Sequence, residues 1–126
     1  MKAHGEYRIE VIENIVHVFP TGDFNAQGIS ALHKEISELA PKGKAWALFE
    51  HPYNYAGLTP EAIDELIQSY NNLAKINCVV AALEISTPWQ HIFESLVLNK
   101  VNIPIFLDSC SDKLALNINE TLRKLK

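Results

Sequence analysis

Two short stretches, Ala45-Trp46-Ala47-Leu48-Phe49 and Cys78-Val79-Val80-Ala81-Ala82-Leu83, are apolar at every position. Side chains alternate between the two faces of a strand, so a strand without polar positions is buried on both faces. Buried strands of this kind are typical of parallel sheets. The two stretches therefore predict the centre of the fold.

A hairpin is predicted upstream of these strands. Tyr7, Ile9 and Val11 alternate with polar residues, which indicates a half-buried strand. A second apolar run extends from Ile15 to Phe19. A tight turn at Glu13-Asn14 between the two runs makes them an antiparallel pair.

Apolar residues at spacings of three and four predict four helices. Helix 1 should span about Asn25 to Ala40, and helix 2 should begin at Pro60 after an N-cap at Thr59. Helix 3 should begin with a capping box formed by Thr87 and Gln90. The last strand should run from Ile103 to Leu107, and helix 4 should start around Ser109 to Asp112.

The resulting order, ββαβαβαβα, predicts a single α/β domain over residues 1–126. Right-handed crossovers make the sheet mainly parallel, with an antiparallel N-terminal edge strand. Because the units step in one direction, we expect the helices to lie on one side of the sheet. Ligands of such sheets usually bind at the carboxyl ends of the strands.

Composition excludes several classes of partner. The chain has 126 residues and a net charge of −4, and its basic residues are scattered except at the end of the last helix. This pattern disfavours a nucleic-acid partner. No apolar stretch has the length of a signal-peptide core or a membrane span, so we expect a cytoplasmic protein. Cys78 and Cys110 need not pair there.

The element order and three short motifs together resemble the STAS domain, above all its bacterial SpoIIAA-like family. The motifs are Gly22-Asp23-Phe24 after strand 2, Asn54-Tyr55-Ala56-Gly57-Leu58 before helix 2 and Ile103-Pro104-Ile105-Phe106 in the last strand. The resemblance implies the SpoIIAA-like fold, which is shared with the CRAL-TRIO domains that carry hydrophobic molecules. In the anti-sigma factor antagonists of the STAS family, a serine in the loop before helix 2 is phosphorylated. Here that loop contains no serine, so we do not expect this switch.

Polar residues near the predicted strand ends are candidates for acid–base chemistry if they converge: Asp23, Glu50, His51 and Glu84. No nucleotide-binding, hydrolase or metal-ligand motif accompanies them. We therefore interpret them as a polar rim and expect neither an enzyme nor a bound cofactor or metal. His17 and His33 are interpreted as packed or edge histidines, and Cys110 as part of a helix-cap loop.

Apolar side chains in the loop before helix 2 and along helices 2 and 3 are either ordinary core or a binding surface. The candidate ligand-binding residues are Tyr53, Tyr55, Leu58, Ile63, Leu66, Ile67, Tyr70, Trp89, Ile92, Phe93 and Leu96. Our hypothesis is a non-enzymatic carrier or sensor that holds a hydrophobic small molecule or lipid between helices 2 and 3, with peripheral membrane contact. The alternative is a STAS-like interaction module without the phosphoacceptor serine, which uses this surface or the edge of the sheet for a homodimer or a regulatory protein partner.

Overall fold

The computed structural model describes residues 6–21, 24–52 and 59–125. The strands in these ranges are β1 (Glu6–Ile12), β2 (Ile15–Thr21), β3 (Trp46–Glu50), β4 (Cys78–Glu84) and β5 (Ile105–Asp108). The α-helices are α1 (Ala26–Leu39), α2 (Pro60–Ala74), α3 (Thr87–Leu96) and α4 (Ser111–Lys124). A short 3-10 helix, Leu98–Lys100, follows α3.

The strands form a five-stranded sheet in the order β1-β2-β3-β4-β5, which is also their order in the chain. β1 and β2 are antiparallel, and Glu13 in the turn between them has a left-handed φ of 54°. The pairs β2-β3, β3-β4 and β4-β5 are parallel. The predicted α/β class, the mainly parallel sheet and its antiparallel N-terminal strand are therefore confirmed.

One face of the sheet packs against α1, α2 and α3. Val16 and Val18 of β2, Leu48 of β3 and Leu83 of β4 point into this main core. Their helical partners include Ile29, Leu32, Ile36, Leu66, Tyr70, Leu73 and Phe93.

Helix α4 lies on the opposite face of the sheet. Its residues Leu114, Ile118 and Leu122 form a second core with Ala47 and Phe49 of β3 and with Val80 and Ala82 of β4. The expectation that all helices lie on one side is therefore wrong for α4. The handedness rule constrains only a helix that connects two parallel strands, and α4 follows all five strands. α4 covers the second face of the two doubly apolar strands.

The beginnings of α3 and β5 differ from the predictions. The capping box is wrong, because the N-cap of α3 is Ser86 and it makes no side-chain capping hydrogen bond. Gln90 Nε2 donates instead to the carbonyl oxygen of Ile85 at 2.9 Å. β5 begins at Ile105 rather than Ile103, although the carbonyl of Pro104 already accepts a hydrogen bond from the amide of Ala81.

We expect Leu114→Ala to lower the free energy of unfolding by about 2–5 kcal/mol, because Leu114 is fully buried between α4 and the sheet. Leu116→Ala is the matched control. Leu116 lies on the same helix but is 68% exposed, and its truncation should change stability by less than about 0.5 kcal/mol. Urea unfolding followed by circular dichroism measures both values. Equal losses in the two variants would contradict the packing of α4.

Candidate functional site

Helix α2 places four of the predicted ligand-binding residues in or against the main core. Leu66 and Tyr70 are fully buried, while Ile63 and Ile67 are partly buried and pack against the same cluster. Five residues of α2 are buried, and the helix lies against α1. α2 is therefore anchored along its length.

Helix α3 is attached to the core more weakly. Phe93 is its one buried residue, and Trp89 is half-buried against the main core. Ile92 and Leu96 are 45% and 41% exposed. Residues four apart lie one above the other on a helix, so these two side chains form an apolar strip on the outside of α3, here called the α3 ridge.

The predicted ligand-binding residues thus fall into three groups. Six of them belong to the main core or pack against it: Ile63, Leu66, Ile67, Tyr70, Trp89 and Phe93. Ile92 and Leu96 form the exposed α3 ridge. Tyr53, Tyr55 and Leu58 lie outside the described residues.

Glu50 lies at the carboxyl end of β3, and only 1% of it is exposed. Its side chain points into the main core, where the hydroxyl of Tyr70 donates a hydrogen bond to its Oε1 at 2.8 Å. Burial raises the pKa of Glu50 to about 7, and the hydrogen bond from Tyr70 opposes this rise. The interpretation of Glu50 as a rim residue is therefore wrong. Side chains alternate along a strand, so the residue after Phe49 points to the opposite face of the sheet.

His51, the next residue, belongs to a cluster on the α4 side of the sheet. Its ring stacks on those of Phe19 and Phe49, with centroid distances of 4.3 and 4.4 Å. Its Nε2 lies 3.1 Å from Nδ1 of His17, and its Nδ1 lies 3.8 Å from Oε1 of Glu84. The structure therefore brings His51 and Glu84 together and adds His17. Asp23 lies outside the described residues.

The tautomers of the two histidines decide which ring nitrogens carry protons. If Nδ1–H of His17 donates to Nε2 of His51, then His51 carries its proton on Nδ1, facing the carboxylate of Glu84. Burial lowers the pKa of both histidines and raises the pKa of Glu84. Both imidazoles are therefore neutral near pH 7. The contact between His17 and His51 has the length of a hydrogen bond, whereas the 3.8 Å between His51 and Glu84 is too long for one, so the cluster is not a continuous proton relay.

Among the residues that the structure describes, no group of three or more His, Cys, Asp or Glu side chains could hold a metal ion. Cys78 and Cys110 are free thiols. Burial raises the pKa of Cys78 to about 12, so this thiol is a poor nucleophile. Cys110 is the N-cap residue of α4, close to its predicted place.

His33 is packed, as predicted. It is one of the buried residues of α1. Its ring lies edge-on to the ring of Tyr70, with the centroids 5.3 Å apart. Within the described residues, neither of its ring nitrogens has a hydrogen-bond partner. Nothing in the sequence pattern indicates this lack of a partner.

No protein-family model matches this chain, and no curated protein matches it. The similarity to the STAS domain and its SpoIIAA-like family therefore rests on the motifs and on the order of helices and strands. None of the helices within the described ranges combines the length and the apolar character that a membrane span requires.

Glu50→Gln should make the protein more stable at alkaline pH. A carboxyl group whose pKa is higher in the folded state stabilises the fold fully below its unfolded pKa of 4.5, and this contribution is lost as the pH rises through about 7. The amide keeps an acceptor for Tyr70 and cannot ionise. Near pH 9 we expect the variant to exceed the wild type by roughly 3 kcal/mol in the free energy of unfolding.

Urea unfolding between about pH 5 and pH 9 measures this difference. Burial lowers the pKa of His33 to about 4. The stability that comes from keeping this histidine neutral is present above its unfolded pKa of 6.5 and is lost as the pH falls through about 4. This contribution is common to both proteins and cancels in the difference. Glu38→Gln, at an exposed position of α1, serves as the control. Parallel stability profiles for wild type and Glu50→Gln would show that Glu50 does not titrate as described.

Proposed function

We propose that this protein is a non-enzymatic binding protein that carries or senses a hydrophobic small molecule or lipid held between α2 and α3. The α3 ridge makes peripheral contact with a membrane when the ligand is exchanged. The observation that carries the proposal is the exposure of Ile92 and Leu96 beside the half-buried Trp89. The resemblance to a fold shared with CRAL-TRIO carriers supports the same function.

The attachment of α3 makes it the movable wall of such a site. Phe93 is its only buried residue, with Val97 buried directly after it. Its N-cap Ser86 provides no side-chain hydrogen bond, and its first turn has no acidic residue to favour the helix dipole. α2 has five buried residues and provides the fixed wall. In this proposal α3 moves to admit the ligand, and α2 stays in place.

Burial of apolar side chains favours the packed position of α3. Lifting α3 takes Phe93 and Val97 out of the main core. Exposing apolar surface costs about 25 cal/mol per Å², so an open state persists only when something apolar covers that surface. A hydrophobic ligand or the interfacial region of a bilayer provides such cover.

The α3 ridge also suits the alternative, a STAS-like interaction module that uses the ridge for a homodimer or a protein partner. Native mass spectrometry of gently purified protein distinguishes the two functions. A monomer with a bound small molecule supports the carrier, and a dimer without one supports the interaction module.

Trp89 emission should shift to shorter wavelength when fatty acids or neutral phospholipid vesicles are added, because its half-buried indole then enters an apolar environment. Trp46 is fully buried, so its emission should not change. Trp89→Phe should therefore remove the shift. Neutral vesicles are the appropriate probe because the protein has a net charge of −4.

Leu96→Asp should abolish the shift while circular dichroism still reports a folded protein, because a carboxylate on the ridge must be desolvated on binding. Leu116→Asp places the same charge at an exposed leucine of α4 and should leave the shift intact. The carrier function would be wrong if no fatty acid or vesicle shifted Trp89 emission while the amides of α3 exchanged hydrogen as slowly as those of β3.

A further inference from the structure

A cleft of about 420 Å³ opens between α1 and α2. Its lining includes His33 and Lys34 from α1, Glu65, Ser69 and Leu73 from α2, and Ile76. None of these residues belongs to the predicted site between α2 and α3. The volume lies in the range of small-molecule sites.

His33 is the first feature that points to a ligand. Only 5% of this residue is exposed, and neither ring nitrogen has a hydrogen-bond partner in the described part of the chain. Burial lowers the pKa of His33 to about 4, so the ring is neutral and offers one N–H donor and one acceptor. Buried polar atoms without partners are costly and rare in folded proteins. Both nitrogens are closed to solvent, so a ligand that donates and accepts hydrogen bonds satisfies this ring only after the side chains around it shift.

The charges on the two walls are the second feature. Lys34 on α1 and Glu65 on α2 line the same cleft, yet neither takes part in an ion pair within the described residues. The hydroxyl of Ser69 lies 3.5 Å from Oε1 of Glu65 and holds that carboxylate on the cleft wall. A molecule with an anionic and a cationic group can bind both walls at once. Leu73 and Ile76 add an apolar part to the lining.

We propose that this cleft binds a small zwitterion of the amino-acid type with an apolar side chain. Its carboxylate pairs with Lys34 and its ammonium group with Glu65, while its polar atoms complete the hydrogen bonding of His33. Its side chain lies against Leu73 and Ile76. This site is independent of the function proposed for α3.

L-leucine is the probe, and titration of ¹⁵N-labelled protein followed by NMR is the measurement. We expect saturable shifts at the amides that line the cleft, together with a change in the ring nitrogen resonances of His33. 4-Methylpentanoate lacks the ammonium group of leucine, and isoamylamine lacks its carboxylate. Each should bind at least about tenfold more weakly, because each leaves one charged wall without a partner.

Variants at the two charged walls test the assignment without disturbing the core. Lys34→Met and Glu65→Gln should each weaken leucine binding about tenfold or more. The controls Lys113→Met on α4 and Glu38→Gln on α1 change exposed residues outside the cleft and should have no effect. Leu96→Asp on α3 should also leave leucine binding intact, which separates this site from the α3 ridge.

Two outcomes would overturn the proposal. One is the absence of saturable shifts in the cleft with leucine, valine and methionine. The other is equal binding of leucine and 4-methylpentanoate, which would show that the cleft recognises only a carboxylate.

Discussion

β3 is buried at every position from Trp46 to Glu50, and β4 is nearly as buried, so the middle of the sheet needs cover on both faces. α1, α2 and α3 provide that cover on one side and α4 on the other. Polar groups trapped in this layer must find partners inside it. The indole of Trp46 donates to the carbonyl of Ile76 at 2.8 Å, and Glu50 accepts from Tyr70. These bonds join β3 to α2 and to Ile76, which follows the C-cap residue Lys75 of that helix.

The sequence predicted the order of helices and strands and the mixed sheet well, because hydrophobic periodicity is a local property. It did not predict the face on which α4 lies, because no following strand constrains a terminal helix. The sides taken by Glu50 and His51 follow from strand alternation, but the exact end of β3 must be known before alternation can be applied. Interpreted from the sequence, both residues belong to one polar rim, whereas in the structure they lie on opposite faces of the sheet.

The candidate sites show where pattern reasoning stops. Helical spacing identified the apolar residues of α3, but it could not separate Phe93, which is buried, from Ile92 and Leu96, which are exposed. The contact between His17 and His51 joins residues 34 positions apart, and the cleft between α1 and α2 depends on how two helices meet. Such features arise from tertiary packing, so a single sequence gives no distances for them.

The position of α4 after all five strands affects how the protein is made. During synthesis each parallel strand can join the edge of the sheet as it leaves the ribosome, because sheet order equals chain order. The second face of β3 and β4, with Phe49 and Val80, stays uncovered until the fourteen residues of α4 have emerged. A nascent chain that stalls before that point exposes an apolar face of the sheet. Exposed apolar surface of this kind is bound by chaperones and promotes aggregation.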